Sequence, residues 1–425
     1  MKQTIQLGTL SAGNIGITFL FQWYVLVQLG PGIETDALFA SMTVPQLVLM
    51  VISGSLMHVL VPLLAGEEQD RLRHDVWGFL ALVGGLFGII SVILFVAAPW
   101  WIPLTVPGFS EAGKALTIDL TRIQLIGMIF TAINGVQWAA YHARQKFVWA
   151  EFTQILAGAI AFAILVWALP RFGVFAAAWI SAIRLVIQTL LLSSGMGKPT
   201  RPNLQSPALK QAWQRIKPLL LGNAYYKTDP LVDRFLLSTA SSGSLSLYYL
   251  AQQIYGAATQ VINKAIAAPL VPILSKYYKV GDKVGFRRAY LRKLVQVTVI
   301  TIAILLTVGI FGQALLEFLI GHGNVTTDNV VELWWIMLWL GGAFVCGTAG
   351  QISSTTFYAC GDTTTPTRMS ILTFTAYIPC KVVAYNYWGV MGLSISTSIY
   401  ILINLTLQIY LLEKKQVLWA DQLSK

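Results

Sequence analysis

Four charged side chains crowd an otherwise apolar stretch, YYKTDPLVDRFLL at 225–237: Lys227, Asp229, Asp233 and Arg234. At about 100° per residue, a helix places Lys227 and Arg234 about 20° apart, and Asp229 and Asp233 about 40° apart on another face. Pro230, between them, removes a backbone donor and is expected to kink the helix as a hinge. Three more cations lie in apolar surroundings: Arg184, Lys264 within VINKAIAAPLVP, and Lys381 just after Pro379. Five cations facing two acids would make a cavity that attracts phosphate or pyrophosphate, which arginine can grip with two parallel bonds. Gln252 and Gln253 are uncharged candidates for the same lining. The plainer reading is that the charges of 225–237 pair with neighbours and lock helices together. For Arg184 it is a long side chain packed between helices or snorkelling. Asp36, in GIETDALF, is a candidate for coupling or charge pairing alongside Asp229, Asp233 and Lys381; the plainer reading is that it caps its own helix, where the dipole favours an acid. Pro45 should bend that helix, and Pro379 is a third hinge candidate.

No set of residues suits covalent or metal chemistry. The histidines (58, 74, 142 and 322) are scattered, and no G-x-x-x-x-G-K-[ST] phosphate loop is present. Cys346, Cys360 and Cys380 lack metal-ligand spacing and read as buried free thiols. The chain is therefore not expected to be an enzyme, and no cofactor or metal is expected. Any transport would draw on a sodium or proton gradient, the membrane potential or the substrate's own imbalance.

The elements that position these charges are membrane spans. Of the 425 residues 56% are hydrophobic and only 11% charged, with mean hydropathy +0.66; a soluble domain carries about 25% charged residues. Apolar runs of about 20 residues suit helices crossing ~30 Å of hydrocarbon, and the short alternating strands of a β-barrel are missing. The fold class is thus an all-α polytopic membrane protein. Twelve spans are read near 7–29, 36–64, 76–99, 119–143, 148–168, 173–194, 216–239, 245–275, 293–319, 331–359, 367–386 and 389–412. With both termini in the cytoplasm, 21 of the 29 lysines and arginines fall on the inner side, as the positive-inside rule asks. The net charge of +11 then reflects topology and anionic lipid rather than nucleic acid. The basic loop 276–293 is the main candidate for lipid headgroups.

The chain also repeats itself. FGVFAAAWISAI (172–183) matches WGVMGLSISTSI (388–399), and YHARQ (141–145) falls on FYACG (357–361) at the same offset. LVPLLA (60–65) matches LVPILS (270–275) at a slightly shorter one. Two six-helix lobes related by a pseudo-two-fold along the membrane normal are expected: 1–195, a cytoplasmic linker at 196–217, and 218–425. In the linker, Ser206 and Pro207 could start a short surface helix.

ETDALFASMTVPQLVLMVISGSLMHVLVPLLA resembles the second helix of MurJ/MviN-type lipid II flippases. SGSLSLYYLAQQIYGAATQVINKAIAAPLVPILSKYYKVGD resembles their eighth, and TDPLVDRFLLS is similar to the seventh helix of Wzx-type polysaccharide flippases. Both families belong to the MOP exporter superfamily. The resemblance implies alternating-access translocation of an undecaprenyl-pyrophosphate-linked saccharide across a bacterial cytoplasmic membrane, by a monomer. Family arginines of the first, second and eighth helices here read approximately Val27, Leu49 or Met50, and Gln253. Their charge is expected to have moved to Lys227, Arg234 and Lys264. Some relatives hold sodium between acids of the seventh and eleventh helices; here Lys381 is expected to pair with Asp229 or Asp233 instead. A cation-coupled multidrug or small-molecule antiporter and a non-transporting envelope-synthesis scaffold are the alternatives.

Overall fold

The structure, a computed structural model, describes residues 2–64, 69–197, 200 and 225–422. Among these it is almost entirely helical. The helices are α1 (Lys2–Leu29), α2 (Ile33–Ser41), α3 (Thr43–Leu64), α4 (Gln69–Thr105), α5 (Glu111–Ala143), α6 (Phe147–Ser194), α7 (Asp229–Leu237), α8 (Ser244–Ile262), α9 (Ala268–Val280), α10 (Lys283–Ile320), α11 (Thr327–Ala359) and α12 (Thr364–Gln422). Nine helical stretches among the described residues are long and apolar enough to cross a membrane. The outward faces are greasy, as lipid contact requires: Val295, Val299, Ile302, Leu306 and Ile310 form an exposed stripe along α10 at helical spacing.

Two of the nine stretches are double. α6 runs for 48 residues and α12 for 59, far beyond the ~20 that a bilayer core needs. Each is broken at one glycine: Gly173 with φ 59° and ψ −147°, and Gly389 with φ 57° and ψ −140°. Those dihedrals are open to glycine and costly for any residue with a Cβ. The breaks give the expected spans five and six, and eleven and twelve. Alanine at Gly389 should therefore cost about 1–3 kcal/mol, read as a lower melting temperature in detergent. An unchanged melt would show that the break does not depend on glycine.

The two glycines stand at the offset of the sequence repeat, and its register extends to hydrogen bonds. α5 and α11 are both 33 residues long, and their starts, Glu111 and Thr327, stand at the same offset. α5 ends with Lys146 N donating to Tyr141 O (2.9 Å) and Gln145 N to His142 O (3.0 Å). α11 ends with Asp362 N donating to Phe357 O (3.0 Å) and Gly361 N to Tyr358 O (3.0 Å). Gln145 and Gly361, at matching positions, both take a left-handed φ, 58° and 76°, the signature of a Schellman end. At the shorter offset, Leu60 and Leu64 are as buried as Leu270 and Leu274.

Contacts divide the chain into two units, Met1–Ser246 and Leu247–Lys425. In the first, α5 is central and packs against α2, α3, α4 and α6. Polar rungs join α5 to α6: Gln124 to Ser181 (3.0 Å), Thr189 to Asn134 (2.7 Å) and Gln137 to Ser193 (2.8 Å). Such bonds hold helices together where lipid offers no hydrophobic drive. In the second unit α11 is central and packs on α9, α10 and α12, with Ser354 donating to Gln408 (3.1 Å). The sequence places the join at 196–217, whereas Tyr225–Ser246 group with the first unit. Most of that linker, with Ser206 and Pro207, lies outside the described residues.

Several local expectations change. Residues 276–293 are not a loop. α9 and α10 meet at Gly281, left-handed at φ 75°, and at Asp282, whose side chain accepts from Gly285 N. The basic residues there occupy two helix ends, and Arg287 pairs with Glu413 at 3.0 Å. Of the three cysteines, Cys346 and Cys360 are half-buried and Cys380 is exposed rather than buried.

Candidate functional site

α7 is short because of its sequence. A 3₁₀ turn, Tyr226–Thr228, leads into it, and Asp229 and Pro230 form its first turn. Pro230 is therefore not a mid-helix kink: its missing N–H falls where a helix has none to use, and Asp229 meets the positive end of the dipole. Pro45 acts more as expected. It stands three residues into α3, and the helix is interrupted one residue wide at Met42, between α2 and α3. Proline leaves the carbonyl four residues back, that of Ser41, without its usual donor, which accounts for the interruption at that point. Pro379 lies within a continuous helical stretch of α12, and the break there comes at Gly389.

The cationic stripe of 225–237 lies along α3. Lys227 Nζ donates to Met50 O at 2.9 Å, and Arg234 Nε to Thr43 Oγ1 at 3.3 Å. The spacing of the two donors equals that of the two acceptors, in reverse order, so the two segments run antiparallel with matched helical turns. Lys227 stays partly exposed, whereas Arg234 and its neighbour Asp233 are buried. Ser238, just past α7, holds Gly108 N at 3.1 Å.

Asp36 does not cap its own helix, whose N-cap is Gly32. Its carboxylate reaches a segment far along the chain. Oδ2 accepts from Gly243 N (2.7 Å), and Oδ1 from Ser246 N (2.8 Å) and from the Ser246 hydroxyl. This is an N-terminal cap supplied in trans: a buried acid satisfies the orphan N–H groups where α8 starts. Gly243 has φ 96°, and a Cβ there would lie 2.9 Å from Pro31, so that turn leaves no room for a side chain.

Arg184, on the second half of α6, lines a cavity of about 220 Å³ with Gln22, Gln46, Leu49, Gln124 and Ser181. In the second unit, α8 gives way to a π-helical turn, Asn263–Ala267, that carries the exposed Lys264. Such turns widen a helix and recur at functional sites. Gln252 and Gln253 are partly buried on α8. Lys381 is fully buried. Its ammonium lies 5.0 Å from the centre of the Tyr377 ring, which stacks on Tyr400 at 4.3 Å. The structure thus brings Lys227, Arg234, Asp233, Asp36 and Arg184 into one unit, and Lys264, Gln252, Gln253 and Lys381 into the other. Sequence reasoning missed the polar residues that line this cavity with Arg184. Their signal was one glutamine in each of three apolar spans.

Helical spans with internal glycine breaks, a repeat of constant offset and ionisable side chains set within apolar helices define a multi-pass α-helical membrane protein built from two repeated halves. A solved structure of the lipid II flippase MurJ in an inward closed conformation superposes with a TM-score of 0.83 at 14% identity, over 97% of this chain and 89% of that one. An inward-facing multidrug resistance MATE family transporter gives 0.81 at 15%, over 98% and 95%. The sequence pattern of the lipid II flippase MurJ family matches residues 27–425, and the chain belongs to that family. A probable lipid II flippase MurJ of Bdellovibrio bacteriovorus is 23% identical over 96% of this chain and 80% of that protein. One from Vibrio cholerae is 21% identical over 89% and 76%.

Proposed function

We propose that the protein flips a polyprenyl-pyrophosphate-linked saccharide across the cytoplasmic membrane by alternating access, with lysine and arginine side chains receiving the pyrophosphate. Membership of the family supports a lipid-linked precursor as cargo. The observation that carries the ligand chemistry is the stripe on α3. Lys227 places an ammonium at the backbone of Met50, about where the resemblance puts a family arginine of the second helix, so the charge is supplied from a different helix. An antiporter of cationic drugs would need acids free in the cavity, and Asp36 is committed to Gly243 and Ser246. The termini are assigned to the cytoplasm, and the working form to a monomer.

The test is flipping of undecaprenyl-pyrophosphate-linked substrates in proteoliposomes. Lys227→Gln and Lys264→Gln are each expected to cut the rate by about tenfold, the loss of one charge-assisted contact, without altering the melting temperature. Wild-type rates in both variants would sink the assignment. Imposed sodium, proton or potential gradients in the same vesicles read out the coupling. Anionic lipid is assigned to the basic ends of α9 and α10. Lys276, Lys279, Lys283 and Arg288 gather there, and each cation near an anionic leaflet adds about 1 kcal/mol of attraction.

A further inference from the structure

α1 has one polar face. Ser11, Asn14, Thr18 and Gln22 fall within about 80° of one another at about 100° per residue. The helix packs along α6, and the face can be followed from one end of that pair towards its middle. At the end near the α5–α6 turn, Ser11 Oγ donates to Glu151 Oε1 at 3.4 Å. About one turn in, Asn14 Oδ1 is buried with no hydrogen-bond partner. Thr18 and Gln22 then line a cavity of about 220 Å³ with Gln46, Gln124, Ser181 and Arg184. The cavity sits at mid-length of α5, between Gln124 and Thr131 in a helix running Glu111–Ala143, and all of it belongs to the first unit. From Ser11 to Gln22 the helix rises about 17 Å, over half of the ~30 Å hydrocarbon core.

Those features describe a path for water. The cavity far exceeds the ~10–15 Å³ that one water needs, and the polar lining and the orphan amide oxygen supply partners of the kind a buried water takes. Water at that depth carries a hazard. In a transporter that works by alternating access, a site at mid-depth opens to opposite sides in turn. A standing polar path from it to one side would let protons run through the membrane, and Glu151 at the mouth would draw them in. The charge at the inner end has the opposite sign. Among the described residues no acid lines the cavity, and Arg184 is its one ionisable group. Arg184 Nε is buried without a hydrogen-bond partner, so that nitrogen ties no helix to another. A guanidinium keeps its charge in any protein. Beside a narrow water path, a fixed positive charge repels hydronium and metal cations while leaving water free to pass.

We propose that the polar face of α1 is a hydrated path into the first unit, and that Arg184 is the electrostatic plug at its inner end, barring protons from a route that water enters. The inference rests on the alternating-access reading but on no particular cargo.

The experiment uses the full chain in phosphatidylcholine vesicles that enclose a pH-sensitive dye. A proton gradient is imposed, with potassium and valinomycin to balance charge. Vesicles holding the wild-type protein should leak little more than protein-free ones. Arg184→Gln should raise the protein-dependent leak at least ~tenfold, while Arg184→Lys, which keeps the charge, should stay within about twofold of wild type at neutral pH. Asn14→Leu added to Arg184→Gln should bring the leak back to the wild-type level, which a merely structural role for Arg184 would not produce. Folded Arg184→Gln protein that is as tight as wild type, or that leaks regardless of Asn14, overturns the plug. If Arg184→Gln does not fold, Arg184→Lys decides alone. It should be tight at neutral pH and leak at about pH 10, where a desolvated lysine sheds its proton, while wild type is tight at both. A lysine variant that is tight at both, or leaks at both, overturns the plug. Flipping of a polyprenyl-pyrophosphate-linked saccharide is measured in the same vesicles. Wild-type protein that flips nothing, with Arg184→Gln leaking, would overturn the flippase reading and leave the plug standing. Wild-type protein that flips, with both variants tight throughout, would overturn the plug and leave the flippase reading standing.

Discussion

Asp36→Ala is expected to lower the melting temperature of the purified protein by more than truncation of Lys227, Lys264 or Arg184. The carboxylate answers two backbone N–H groups and one hydroxyl around Gly243 and Ser246. All are buried, so water cannot replace it. One buried donor left unsatisfied costs ~1–3 kcal/mol, and three together approach the stability of a whole domain. Asp36→Asn retains one acceptor oxygen and should fall between the two. The measurement is a melt in detergent, with hydrogen exchange at 243–246 as a local readout. Faster exchange confined to that turn is the expected pattern, and unchanged exchange in Asp36→Ala would refute the capping role.

Lys381→Ala is expected to abolish transport and also destabilise the protein, whereas Lys381→Met should restore folding without restoring transport. The side chain is fully buried on α12, with its ammonium over Tyr377. A cation–π contact is worth ~0.5–2 kcal/mol, and desolvating an ammonium costs several, so loss of the charge and loss of the side-chain volume are expected to act on different properties. Methionine fills a similar volume with no charge, which separates the two roles. Transport by Lys381→Met at the wild-type rate would reduce the lysine to a packing element.

The spans, the repeat and the helix ends could be read from the sequence because each depends on neighbours along the chain. A run of about 20 apolar residues, a Gly173 or Gly389, and the YHARQ and FYACG pair carry their consequences locally. The partners of the charges could not be read in the same way. Asp36 meets Gly243 and Ser246, and Lys227 meets the backbone of Met50. No periodicity encodes meetings between such distant parts of the chain. Pro230 misleads because the helix starts beside it. The span expected to pass through 230 is, in its described part, a 3₁₀ turn followed by nine residues of helix. The Arg184 cavity was half legible: the arginine stood out, while nothing in the sequence gathers Gln22, Gln46 and Gln124 from separate helices around it.

The matched breaks also act as a gauge. One segment, 146–172, lies between the left-handed residue that closes α5 and the glycine break of α6. Its counterpart, 362–388, lies between Gly361 and Gly389 and has the same length. At a rise of about 1.5 Å per residue each segment is about 40 Å long, close to the full thickness of a bilayer with its headgroups. Both halves therefore carry the same ruler. A membrane thinner or thicker than that length would strain each of them alike, and an insertion in one ruler alone would mismatch only the half that carries it.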